Sequence, residues 1–204
     1  MRIGIVSDIH GNIAALEAAL SHLGPIDRLV CLGDSISQYA FSNPVVKTLK
    51  DLGAITLRGN HEEAFFNSYA QNTTPSNDNA PSLMEWLAAR PFQTEFIASG
   101  RRIFLTHATP VISDWRYLLP HMPAFRELKS VNADFVLYGH THVALAHRSS
   151  NAIVVNPGSA GESKLIDGRL CYSCALLDLE ERIVQIIEFC DQQKTRVRTR
   201  ETKC

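Results

Sequence analysis

The chain has 204 residues, 45% of them hydrophobic, which is enough for one substantial core and short for two well-developed domains. A formal net charge of -1 gives no reason to expect long-range attraction to nucleic acid or to an anionic membrane, so neither partner is expected. No stretch is long and apolar enough to span a bilayer as a helix, and MRIGIVSDIHG at the start reaches an Asp and a His too soon for a signal-peptide core. A cytoplasmic location is the expectation.

In chain order, RIGIV at 2–6 reads as a compact strand. Asn12 can cap the helix that follows, whose Ala14, Leu16, Ala18, Ala19 and Leu20 favour helix, and Gly24–Pro25 stops it. RLVCL at 28–32 is the next strand, ending at Gly33–Asp34. NPVVKTLKDL at 43–52 predicts a helix with Pro44 in its first turn, and AITLR at 54–58 a strand ending at Gly59. This strand–helix order favours parallel pairing in an α/β layer. The polar run QNTTPSNDNAPS at 71–82, within a loop expected over 67–82, reads as a rim or lid, and SLMEWLAARPF at 82–92 as a helix closed by Pro91.

The back half is dense in strand candidates: RIFLT at 102–106, DFVLY at 134–138, AIVVN at 152–156, CALLDL at 174–179 and RIVQIIEF at 182–189. The last two could form a hairpin about Glu180–Glu181, although that pair is not a favoured two-residue turn. Pro120 and Pro123 break the helix-compatible pieces of 114–131. The basic KTRVRTRETK at 194–203 reads as a solvated edge strand or tail rather than a nucleic-acid contact. The pattern predicts two packed sheets flanked by helices, without an internal repeat.

The five cysteines, Cys31, Cys171, Cys174, Cys190 and Cys204, are odd in number and follow no short secreted framework, so free thiols in a reducing compartment are expected. CYSC at 171–174 has no second CxxC and sits in a strand-like stretch, which points to packed cysteines rather than a redox or metal motif.

Polar residues recur where strands end. Asp8 and His10 follow the first strand at a spacing of two, which extended backbone directs to one side. Asp34 and Asn60 follow two more, each just after a glycine; His107 follows a fourth, and His140 and His142 repeat the spacing of two after DFVLYG. Parallel strands would gather their carboxyl ends in one crevice. Taken singly, each residue has an ordinary reading: Asp8 and Asp34 as turn residues, Asn60 as a turn or cap, and the histidines, His61 among them, as packed or solvated side chains. Repetition at strand ends is what argues for one site. Aspartates, imidazoles and an Asn carbonyl make mixed N/O shells, suited to a pair of divalent ions roughly 3.5–4 Å apart that hold a phosphate and activate water. Such shells accommodate Mn, Fe, Zn, Co or Ni and suit an all-oxygen magnesium site poorly.

The blocks SDIHGN (7–12), GD (33–34), GNHE (59–62), TH (106–107) and GHTH (139–142), with NPGS (156–159), closely resemble the calcineurin-like metallophosphoesterase superfamily, particularly its small bacterial and archaeal phosphodiesterase branch. The resemblance implies an α+β, four-layer αββα sandwich, with residues 1–204 as a single domain and a metal centre at one edge. It assigns Asp8, His10 and His142 to one transition metal and Asn60, His107 and His140 to the other, with Asp34 bridging and manganese favoured. A bridging hydroxide would attack phosphorus, and His61 would stabilise charge or protonate the leaving oxygen. Asn12 would cap its helix or touch substrate. Arg58 would balance site charge or form a structural contact, and Glu62 would orient His61 or sit exposed in a helical first turn. NPGS implies a tight, non-catalytic turn near the centre.

One block departs from the pattern. Where related small phosphodiesterases continue from GD into a glycine-rich GYGP-like loop, this chain has GDSISQYAFSNP, bulkier at Gln38, Tyr39 and Phe41. The implied activity is hydrolysis of a phosphodiester in a small nucleotide-like molecule. The alternatives are a phosphomonoesterase or nucleoside-polyphosphate hydrolase, and a non-catalytic interaction scaffold like the retromer subunit that resembles this superfamily. Both halves of the ligand set are present, which favours an enzyme. Phe65, Phe66 and Tyr69 read as core packing ahead of a partner surface, and nothing in the sequence establishes a homodimer interface.

Overall fold

Strand alternation decides how the layers stack. The computed structural model describes residues 1–71, 78–148, 152–166, 168–190 and 198–203. The front half runs β1 (Arg2–Val6), α1 (Ile13–Leu23), β2 (Arg28–Cys31), α2 (Asn43–Asp51) and β3 (Ile55–Thr56), then α3 (Asn60–Gln71) and α4 (Pro81–Ala88). β4 (Gln93–Ala98) and β5 (Arg101–Thr106) follow, and a 3-10 turn at Pro123–Phe125 leads into the short α5 (Arg126–Lys129). The remainder is β6 (Phe135–Leu137), β7 (Leu145–Arg148), β8 (Ile153–Asn156), β9 (Lys164–Ile166), β10 (Arg169–Asp178), β11 (Ile183–Cys190) and β12 (Arg198–Lys203).

Two mixed sheets result. The first has the order β12-β11-β10-β1-β2-β3, with β9 pairing to β10. β1, β2 and β3 are parallel, as the strand–helix order predicts, and β1 is antiparallel to β10, Arg2 opposite Asp178. The second has the order β4-β5-β6-β8-β7, with β5, β6 and β8 parallel. Alternate side chains leave a strand on opposite faces. Ile3, Ile5, Val30 and Leu57 therefore meet Ile103, Leu105, Leu137 and Val155 between the sheets. Leu16, Ala19 and Leu23 of α1 and Val45 and Leu49 of α2 cover the outer face of the first sheet, against Cys31, Leu176 and Ile187. Leu118, Phe125 and Leu128 cover the second, against Val136, Tyr138 and Val154. Helix, sheet, sheet, helix is the four-layer αββα sandwich of an α+β fold.

Several elements differ from expectation. α3 extends to Gln71 and α4 begins at Pro81, so the polar loop expected over 67–82 is shorter at both ends; residues 72–77 lie outside the described residues. The β10–β11 connection is four residues long rather than two. Asp178 Oδ1 accepts the amides of Glu180 (3.0 Å) and Glu181 (3.1 Å), and Arg182 takes φ 57°. The expected basic edge strand is present as β12 beside β11, while 194–197 lie outside the described residues. Phe65 is buried in a cluster with Ile36, Val46, Met84 and Leu87, with Phe66 and Tyr69 packed against it.

Free thiols do not hold for every cysteine. Cys171 and Cys190 stand opposite each other in the β10–β11 register and form a disulfide, a pairing that only tertiary register could reveal. Cys31 and Cys174 are buried thiols; burial pushes Cys174 up to about 12, so CYSC contributes one bridged and one inert cysteine. Cys204 lies outside the described residues. Among the described residues no helix is long and apolar enough to cross a membrane.

Candidate metal centre

Backbone ladders continue past the strands and carry the polar residues inward. Asp8 N donates to Gly33 O (3.1 Å), His10 N to Asp34 O (2.9 Å) and Gly11 N to Ser35 O (2.9 Å), so the loops after β1 and β2 stay zipped. After β5 and β6, Gly139 N donates to His107 O at 2.8 Å. The loops are not extended. Asp8 (φ 55°), His10 (φ 49°), Asp34 (φ 51°), His140 (φ 65°) and His142 (φ 55°) all adopt the left-handed conformation, which corrects the extended geometry expected at the spacing-of-two pairs. Asp and His tolerate this region better than most residues, and its cost of about 1–3 kcal/mol each persists where the surroundings over-determine the backbone. Between Asp8 and His10, Ile9 is fully buried on the α1 side, so the turn serves core packing as well as aim.

Two glycines allow the loops to close up. A Cβ at Gly59 would lie 2.2 Å from Asp34 Oδ1, and one at Gly139 would lie 2.0 Å from Ser7 Oγ and 2.9 Å from Asp8 Oδ2.

The ligand-type atoms fall into clusters. Those of Asp8, His10 and His142 lie within 4.8 Å of one another, as do those of Asp34, His107 and His140, and those of His10, Asp34 and His61. His10 Nε2 and His142 Nε2 are 3.2 Å apart. Asn60 Oδ1 is 3.1 Å from His107 Nε2, which is itself 3.3 Å from Asp34 Oδ2. Each aspartate is anchored by one oxygen: Asp8 Oδ2 accepts His140 N at 3.1 Å, and Asp34 Oδ1 accepts His61 N at 2.9 Å. The other oxygen of each points at the histidines, with His142 Nε2 3.3 Å from Asp8 Oδ1.

Three histidines are also held from behind. His107 Nδ1 is 2.8 Å from Leu32 O, His140 Nε2 is 2.8 Å from Trp115 O, and His142 Nδ1 is 3.3 Å from Glu162 Oε2. Leu32 O and Trp115 O each accept a hydrogen from one ring nitrogen and turn the other toward the site, the usual arrangement behind a metal-binding imidazole, while Glu162 stands behind His142 as an ion-pair contact. Trp115 is in turn fixed by α3, its indole N–H donating to Glu63 Oε2 at 2.8 Å. The donor set suits metal on a further ground: Asp8 Oδ1 and His10 Nδ1 are buried without a hydrogen-bond partner, a costly state for polar atoms in a protein interior.

Electrostatics agree. Burial opposes ionisation of Asp34, yet the charge and hydrogen bond of His107, followed by His61, hold its carboxyl below the usual range. Burial likewise lowers His107, but Asp34 outweighs it and raises the imidazole to about 9. Burial lowers His10 and His140, whereas at His142 the adjacent Asp8 carboxylate, followed by Glu162, outweighs burial and raises it.

The remaining sequence candidates divide. Asn12 caps α1, its Oδ1 accepting Ala15 N (3.1 Å), and its Nδ2 donates to Gly161 O (2.9 Å). Arg58 lays its guanidinium over Phe92, 4.2 Å from the ring centroid. Glu62 is not the exposed first-turn carboxylate of the ordinary reading. It is fully buried and accepts from Gly59 N (2.8 Å), Asp34 N (2.9 Å), Ser35 N (2.6 Å) and Ser35 Oγ (2.7 Å), binding the Asp34 loop to the start of α3. Asn156 and Ser159 of NPGS form the expected turn, Asn156 Nδ2 donating to Gly139 O (2.7 Å) and Ser159 Oγ to Asp8 O (2.7 Å). Glu162 and Trp115 were missed. Both act through segments distant in sequence, and neither carries a local motif.

Comparison with known proteins gives the arrangement its context. A model of the calcineurin-like phosphoesterase superfamily domain matches residues 1–182. An uncharacterized protein of Methanocaldococcus jannaschii is 24% identical over 91% of this chain and 86% of its own length. Crystal structures of a hypothetical protein from Pyrococcus horikoshii OT3 (TM-score 0.76, 20% identity, 92% of this chain and 87% of that one) and a metallophosphoesterase from Sphaerobacter thermophilus (0.72, 23%, 93% and 88%) share the fold. Fold and clustered ligands together are those of a binuclear, metal-dependent phosphoesterase, and the chain belongs to the calcineurin-like phosphoesterase superfamily.

Proposed function

We propose that the protein hydrolyses a phosphodiester in a small nucleotide-like substrate at a two-metal centre, as a member of the small bacterial and archaeal phosphodiesterase branch. The observation that carries this reading is the position of Asp34, which shares ligand distance with His107 and His140 on one side and with His10 and His61 on the other. Asp8, His10 and His142 would hold one divalent ion and Asn60, His107 and His140 the second, with Asp34 placed to serve both. Manganese is the favoured ion, with Fe, Zn, Co and Ni suited to the same N/O set. Bound there, the ions supply Lewis acidity toward a phosphoryl oxygen and activate water. The protein's own contribution is orientation. His61 Nδ1 accepts the Gln38 amide at 3.1 Å, which leaves the ring hydrogen on Nε2, 3.9 Å from Asp34 Oδ2. From there it donates to the phosphoryl or leaving oxygen. We further propose that residues 1–204 make one domain.

The test is an assay of metal-loaded protein against bis(p-nitrophenyl) phosphate and p-nitrophenyl phosphate, with metal content measured on the same preparations. Diester turnover that Asp34→Ala abolishes is the expected result. Monoester turnover alone would make the protein a phosphomonoesterase, and bound metal without any turnover would make it a scaffold.

A further inference from the structure

The bulky rim that departs from the family pattern borders a cleft of about 610 Å³, within the size range of small-molecule sites. Its walls are the 38–41 segment on one side and α3 with residues 78–79 on the other. Four aromatic side chains line it: Tyr39, Phe41, Phe65 and Tyr69. Three form a continuous wall, Phe65 lying 5.8 Å from Phe41 and 5.9 Å from Tyr69 between ring centroids, the latter pair stacked at 20°. Tyr39 is 87% exposed at the rim, on a tight turn in which Ser37 and Ala40 exchange backbone hydrogen bonds. Gln38 and Asn79, whose carboxamides each offer both donor and acceptor, also line the cleft.

The geometry points to this cleft as the subsite for the nucleobase of a nucleoside phosphoester, an inference that rests on the phosphoesterase reading and extends it to the leaving group. Continuity carries the argument. Gln38 lines the cleft and its backbone amide also donates to His61 Nδ1, so the cleft begins at the residue that touches the group facing the phosphate. Charge decides what enters. Among the described lining residues the one charged group is the carboxylate of Asp78 and none is Lys, Arg or His, so the cleft is not a second anion site; the phosphate goes to the metal centre and an uncharged ring goes here. A purely aliphatic group would gain nothing from the paired carboxamides. A flat heteroaromatic ring uses both features, stacking on the aromatic side chains and pairing its polar edge.

Calorimetric titration of the full-length, metal-loaded protein with adenosine, ribose and benzyl alcohol tests this without requiring turnover. Adenosine is expected to bind and ribose and benzyl alcohol not. Tyr39→Ala should weaken adenosine by roughly 5- to 150-fold, the range of one lost base–aromatic stack, and Tyr39→Phe should restore it. Tyr39 is exposed, so its replacement leaves the core intact, and a thermal melt of each variant checks this. Benzyl alcohol binding as tightly as adenosine, or adenosine affinity unchanged in Tyr39→Ala, would overturn the assignment. The two proposals fail separately: diester turnover without adenosine binding sinks only the subsite, and adenosine binding without turnover of any phosphoester sinks only the activity.

Discussion

Glu162 shows how much a single exposed carboxylate can do behind a half-buried ligand. Its side chain keeps 57% of its exposure yet stands 3.3 Å from His142 Nδ1. Losing such a partner costs about 10- to 100-fold in metal affinity while sparing the fold. Glu162→Ala is therefore expected to weaken one of two sites in a chelator-competition titration and leave the other intact. His61 gives the opposite signature: His61→Ala should retain both ions and lose roughly 10²–10⁴ in turnover, the usual contribution of a positioned proton donor. A third expectation concerns protons. His107, raised to about 9 by Asp34, is protonated at pH 7 in the metal-free protein, and its Nε2 must shed that hydrogen to bind metal. Apparent affinity should then rise with pH up to about 9, and titrations in buffers of different ionisation enthalpy should reveal proton release.

At the scale of elements, α3 explains both what was legible in the sequence and what was not. β1, β2 and β8 are short apolar runs and read directly. α3 is NHEEAFFNSYAQ, polar and without a capping side chain before it. Its caps come from elsewhere: Asp34 Oδ1 accepts the amide of His61, and Glu62 reaches back to Gly59 N, completing a capping box whose two halves lie 28 residues apart. β4, β7 and β9 carry too few buried side chains to betray themselves by alternation. The ligands themselves were legible because they recur after apolar strands; their left-handed backbone was not, since it is imposed by loops that meet only in the folded chain. Glu62→Leu would leave Asp34 N, Ser35 N and Gly59 N without their acceptor, at about 1–3 kcal/mol for each buried donor, and denaturant unfolding should show a loss of at least ~3 kcal/mol.

Taken whole, the molecule places its centre on the seam between two sheets. Asp8, His10 and Asp34 follow strands of the first sheet, and His107, His140 and His142 follow strands of the second. Metal should thus act as a clasp across the sandwich rather than a local graft. Saturation at 100 times the dissociation constant is worth about 2.7 kcal/mol, which corresponds to roughly 5–10 °C in Tm for a chain of this size. Differential scanning calorimetry with and without chelator measures it, and an unchanged Tm would count against metal bound across the seam. The place of β1 in the middle of its sheet has a consequence for biosynthesis. Its antiparallel partner β10 is translated about 170 residues later, a wait on the order of 10–35 s at ribosomal speed. Until then Asp8 lacks its completed sheet, and until residue 142 is made it lacks the full set of histidines of the second sheet as well. Metal loading in the cell is accordingly an event of the finished chain, and a ribosome-bound nascent protein stalled before residue 140 should hold no binuclear centre.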